Sequence, residues 1–136
     1  MTLPQLANTV EIVGTLKEIN IESKLSAAKN KYVRGTVTVV SKTDNKVHEH
    51  RIAVMVMESS KLIKGIRTMM AEYKSIEAVG EENADRIKVT GEIQLHEYYG
   101  KDDQLKSFNE IKGVFFNRLD ADSDQPDKAV ASVEVV

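Results

Sequence analysis

Val10-Glu11-Ile12-Val13-Gly14-Thr15-Leu16-Lys17-Glu18-Ile19-Asn20-Ile21 is the stretch on which the fold turns. Val10, Ile12 and Leu16 alternate with Glu11, Thr15 and Lys17, the two-residue period of a half-buried strand. The phase then slips, because Ile19 and Ile21 share the parity of Lys17. Gly14 interrupts the run where a bend or a close backbone approach is tolerated. One long, bent strand accounts for both features.

Downstream, Ser23 to Lys31 has no periodicity and reads as a loop. Tyr32 to Ser41 is a second strand, with Val33, Val37 and Val39 on one face and Tyr32, Arg34, Thr36 and Thr38 on the other. The polar turn Lys42-Thr43-Asp44-Asn45-Lys46 leads into a return strand over Val47 to Met57. Ser59 or Ser60 can cap a helix over residues 59 to 74, in which Leu62, Ile66, Met69 or Met70, and Tyr73 recur at helical spacing. After the acidic turn Gly80 to Asp85, Arg86 to Tyr99 resumes a two-residue period. Gly100 to Ser107 is a polar loop, and Phe108 to Leu119 is a fifth strand. Three meander strands, a helix and a hairpin make an all-β chain with one helix. That is the order of the five-stranded Greek-key OB-fold barrel, with its helix between strands three and four. An α+β sandwich shares the same linear order.

At 136 residues the chain has room for one domain with a real core. We expect an OB-fold domain over 1–119, then an acidic linker and a short C-terminal strand or tail over 120–136. Apolar residues at 41% and charged residues at 29% suit a soluble globular protein. No cysteine is present, so disulfide frameworks and thiolate metal sites are excluded and a reducing compartment is favoured. Met1 to Asn8 lacks a basic region followed by an apolar run, and no stretch is long enough to cross a bilayer. A cytoplasmic location and no membrane partner are the expectation. The formal charge of −2 is unevenly placed, since residues 120–136 hold Asp120, Asp122, Asp124, Asp127 and Glu134 against Lys128. The body before them is mildly basic, which permits contact with nucleic acid but does not argue for it.

Three stretches carry a resemblance. Asn8-Thr9-Val10-Glu11-Ile12-Val13-Gly14-Thr15-Leu16 is an Asn-initiated apolar strand running into a glycine and then a leucine. Ile87-Lys88-Val89-Thr90-Gly91-Glu92-Ile93, followed by Glu97-Tyr98-Tyr99-Gly100-Lys101-Asp102-Asp103, looks like a fourth strand with a long tip loop, and a helix precedes it. With these, residues 8 to 119 resemble the bacterial and phage single-stranded DNA-binding proteins. The resemblance implies an OB barrel that coats unpaired DNA in replication or recombination, usually as an oligomer and beside other replication or recombination proteins. The chain departs from the cellular bacterial proteins in having no tryptophan and no acidic tail closing on a hydrophobic tip, which points to a phage or mobile-element relative.

Binding single strands without sequence readout needs a cationic groove and aromatic faces for stacking bases. Lys24, Lys29, Lys31 and Arg34 fall within Ser23 to Arg34 with no acidic residue between them, and Tyr32 lies among them on the non-core face. Tyr98, Lys101, Lys106 and Phe108 form a second set around the loop joining strands four and five. In OB folds the loops after strands one and four flank the ligand groove, and both sets fall on those loops. Arg51 and Lys112 are added from faces opposite apolar sets, where a solvent-facing charge is the plainer reading. Tyr99 shares the phase of Ile93 and Leu95 and reads as core. Of Phe115 and Phe116, one reads as core and the other as interface. Val40, Met55 and Met57 are further apolar positions for self-association.

His48 and His50 share a strand face but lack further ligands nearby, so no metal and no cofactor are expected. No nucleophile elbow, phosphate-cradling glycine loop or zinc-helix motif appears, so no catalytic residues and no enzyme are expected. Two other functions fit the same residues. One is an OB fold serving as a protein-interaction or assembly module. The other is an RNA-binding OB domain, since stacking platforms and basic loops serve both polymers.

Overall fold

The computed structural model describes residues 6–120 and 125–135, the side chains of 6–8, 94–97, 107–110 and 131–135 excepted. Strand β1 runs over Leu6–Leu25, β2 over Lys31–Thr43 and β3 over Lys46–Met57. Helix α1 (Ile63–Glu72) and the single turn α2 (Ile76–Val79) follow. Then come β4 (Arg86–Tyr99), β5 (Leu105–Arg118) and β6 (Lys128–Val135). The strands are ordered β2-β3-β5-β4-β1-β6, and a further β1–β2 pairing closes the first five into a barrel.

Closure depends on β1 serving two neighbours in succession. Thr9 to Thr15 pair with β4, and Thr15 to Leu25 pair with β2. The β1–β2 register shifts between Leu16 and Glu18, where the sequence parity slips. The bulge returns Ile19 and Ile21 to the core side, where they pack half-buried against the main cluster. Gly14 sits at the handover, and a Cβ there would stand 2.4 Å from the Val40 carbonyl oxygen, so only glycine lets three strands meet.

The core is built from alternate residues of every barrel strand, with Ile12, Leu16, Val37, Ile52 and Val89 fully buried. Ile66 and Met69 of α1 plug one end of the barrel. Tyr73 fixes the helix to β5: its hydroxyl donates to the Phe116 carbonyl at 3.2 Å and accepts the Arg118 N–H at 3.1 Å. The helix starts later than residue 59, since residues 58–62 are turns in which Ser60 Oγ accepts the Leu62 N–H. Turn α2, absent from the sequence reading, is capped by buried Ser75, whose hydroxyl accepts the Ala78 N–H.

Beyond the barrel, β6 lies antiparallel along Leu6 to Val13 of β1, on the edge that β2 occupies further on. Its base is held by Asp127, which accepts the Lys42 backbone N–H at 3.0 Å and the Arg86 guanidinium at 2.7 Å. Glu11 stands between Lys88 of β4 and Lys128 of β6, each 3.1 Å away. Hydrogen bonds from Lys88 and Lys128 hold its carboxyl below the usual carboxylate range.

Candidate nucleic-acid interface

Alternation dictates which residues β1, β2 and β3 present outward. Val33, Val37 and Val39 of β2 and Ile52, Val54 and Val56 of β3 face the core, so the residues between them form the outer face. The register aligns that face in rows. Lys24, Tyr32 and Met57 make one row, and Glu22, Arg34 and Met55 the next. Asn20, Thr36, Ala53, Lys112 and Glu92 make the third, which reaches β4 by way of the short parallel β3–β5 contact. Arg51 follows, opposite Thr38.

Lys24, Arg34 and Arg51 therefore line one shallow groove, whose floor includes Asn20, Gly35 and Thr36. A Cβ on Gly35 would lie 1.9 Å from the Asn20 carbonyl oxygen, so the floor is glycine because β1 and β2 approach too closely for a side chain. Among the described residues Arg34 and Arg51 have no ion-pair partner. Lys24 is 3.8 Å from Glu22, a loose and exposed contact. Lys29 and Lys31 line an adjacent hollow with Met57 and Glu58, where the β1–β2 loop meets the end of β3. Tyr32 is half-buried between Lys24 and Met57.

The second set stands apart from the barrel wall. Past Ile93 and Ile111, β4 and β5 pair only with each other among the described residues, so their ends form a projecting hairpin. Tyr98 lies opposite Lys106 and is 48% exposed. Lys101 is exposed at the tip, and Lys106 is 3.9 Å from Asp102. Phe108 is opposite His96 in the ladder, but its side chain lies outside the described residues. Lys112, half-buried at the base of the hairpin, is the residue shared between the arm and the grooved face.

Tyr99 corrects the sequence reading: it is 74% exposed and is not a core residue. Its two-residue phase continues that of Ile93, but the hairpin has left the barrel and there is no interior for that phase to face. Leu105, its ladder partner, is exposed for the same reason. Met55, expected as an apolar position for self-association, lies 52% exposed beside Arg34. Strand alternation from Val54 and Val56 was the available signal for its outward position. Phe116 is buried and Phe115 is 54% exposed. His50 is half-buried, and its Nε2 lies 2.8 Å from the hydroxyl of buried Ser41; burial, then neighbouring His48, lowers its pKa. Among the described residues no group of acidic and imidazole side chains is arranged to hold a metal ion.

The sequence pattern of the family described as YorF matches residues 7–136. No curated protein matches the sequence. Among solved structures, the chain is similar to the mitochondrial single-stranded DNA-binding protein Rim1 of S. cerevisiae. The TM-score is 0.56 at 14% identity, covering 82% of this chain and 93% of that one. It is also similar to the single-stranded DNA-binding protein of Thermus aquaticus, with a TM-score of 0.50 at 13% identity, covering 89% of this chain and 53% of that one. At such identities the likeness speaks for the fold alone. That fold is the OB barrel of the single-stranded DNA-binding proteins.

Proposed function

The chain belongs to the YorF family, and from the cationic face of its barrel we propose that it binds single-stranded DNA without reading sequence. The observation that carries this reading is the convergence of Lys24, Arg34 and Arg51, three cations against the single carboxylate of Glu22, on one groove that also contains the uncharged donors and acceptors of Asn20 and Thr36. Arg34 and Arg51 spend their charge on no carboxylate among the described residues, which suits them to phosphate. Tyr32 and Met55, on the same face, offer apolar surface to bases, and Tyr98 and Tyr99 offer more on the hairpin. Both solved relatives carry single-stranded DNA binding in their names, which supports the same ligand here.

In this reading the protein is non-catalytic, cytoplasmic and oligomeric, and it acts where DNA is unpaired during replication or recombination. Labelled oligo-dT, a blunt duplex and an RNA of equal length, titrated at several salt concentrations, test it. Oligo-dT is expected to bind far more tightly than duplex, whose bases cannot reach the tyrosines. Equal binding of duplex and single strand, or binding of neither at about 50 mM salt, overturns the proposal. RNA binding above oligo-dT would transfer the same face to the other polymer.

A further inference from the structure

We propose that β6 pairs antiparallel, edge to edge, with β6 of a second copy of this chain, about a two-fold axis passing through Ala131. The inference is independent of the nucleic-acid reading. Strand β6 is last in the sheet order, and its outer edge has no partner strand among the described residues. A sheet edge is a row of unpaired N–H and C=O groups, which proteins ordinarily blunt with charge, proline or a bulge. On this edge the charges are confined to positions near the two ends, Lys128 and Glu134, and the middle is unguarded. Its eight residues, KAVASVEV, follow β1 through eight consecutive pairs without a register shift and contain neither proline nor glycine. By contrast, the first half of β3 carries Lys46, His48, Glu49, His50 and Arg51.

The only charges in β6, Lys128 and Glu134, make the strand self-complementary. With the axis at Ala131, residue 128 of one copy faces 134 of the other, 129 faces 133, and 130 faces 132. In register, Lys128 of each copy then stands opposite Glu134 of the other, with Ala131 on the axis. All these pairs join residues of equal parity, so the outer face of one sheet continues into the outer face of the next. A parallel arrangement in the same register would put lysine beside lysine and glutamate beside glutamate. Glu11 keeps Lys88 as a partner, so Lys128 can be shared across the axis. Val130, 49% exposed on the outer face, would gain a neighbour there.

Two measurements without nucleic acid test this. Sedimentation of the wild type at about 50 µM is expected to show a dimer, and Glu134→Lys, which sets lysine against lysine at both ends, is expected to weaken it at least about tenfold. Because the chain has no cysteine, Ala131→Cys gives one thiol per chain, at the axis. Mild oxidation is expected to cross-link it into a covalent dimer much faster than Val47→Cys, whose thiol would sit exposed in β3. Should Glu134→Lys fail to fold, the cross-linking comparison in the otherwise native chain decides alone. A monomeric wild type overturns the proposal. So does a dimer insensitive to Glu134→Lys, or cross-linking at 131 no faster than at 47.

Discussion

Asp127 at the base of β6 and Arg86 at the start of β4 are joined carboxylate to guanidinium, Oδ1 to Nη2 at 2.7 Å, although 41 residues separate them. The other oxygen of the same carboxylate takes the Lys42 backbone N–H at 3.0 Å. One side chain thus ties the start of the sixth strand to β4 and to the end of β2. Asp127→Ala should release both ties. We expect a loss of about 1–2 kcal/mol in urea unfolding, with amide protection falling first in residues 128–135. Uniform loss of protection across the barrel would contradict the assignment.

Stacking and charge should fail differently on the grooved face. Tyr32→Ala or Tyr98→Ala is expected to cost on the order of 1–3 kcal/mol of oligo-dT affinity at every salt concentration, because ionic conditions do not restore a lost ring. Arg34→Ala with Arg51→Ala should instead flatten the slope of log affinity against log salt, by about 0.7 for each phosphate contact removed. An unchanged slope would take those arginines out of the interface.

His50 makes stability depend on pH. Burial lowers its folded pKa, so the unfolded chain binds the proton more readily, and stability falls as pH drops through the unfolded value toward and below the folded one. Urea midpoints measured at about pH 7.5 and 5.5 should differ, with the lower pH less stable. His50→Gln should reduce that difference. The double variant with Ser41→Ala separates loss of the hydrogen bond from loss of the titrating group. A pH difference unaffected by either substitution would locate its source elsewhere.

Gly35→Ala tests the close approach of β1 and β2. With 1.9 Å between the added carbon and the Asn20 oxygen, backbone must move, and a loss of about 1–3 kcal/mol is expected. Gly65→Ala, where nothing lies within 4 Å of the new carbon, should be neutral or stabilising because it sits in a helix. Thermal unfolding of the pair checks both signs.

Much of the barrel was legible because strands announce themselves locally. The parity slip after Leu16 marked the bulge, and Gly14 marked the meeting of three strands. Tyr32 and Arg34 could be set on one face by alternation alone, whereas Lys24, expected in a loop, lies on the longer β1 opposite Tyr32. Arg51 and Lys112 could be placed on a face but not beside the others, because that depends on the β2–β3 register and on a two-residue β3–β5 contact that leave no trace in sequence. Tyr99 was misread because alternation reports the pleat and not whether a core lies behind it. Lys128–Val135 was legible as a strand, but its partner β1 lies at the other end of the chain, and only tertiary structure supplies that pairing.

The long β1 strand also sets the order in which the molecule can be finished. Its second half finds β2 within a few residues, so that hairpin can form while the rest of the chain is still being synthesised. Its first half waits for β4 and then for β6, contacts whose loops span most of the chain. Until residue 135 has left the ribosome, Leu6 to Val13 keeps a bare edge in a crowded cell. The protein should therefore gather slowly, complete its sheet only once β6 has been made, and be most prone to aggregate in the interval before β6 arrives.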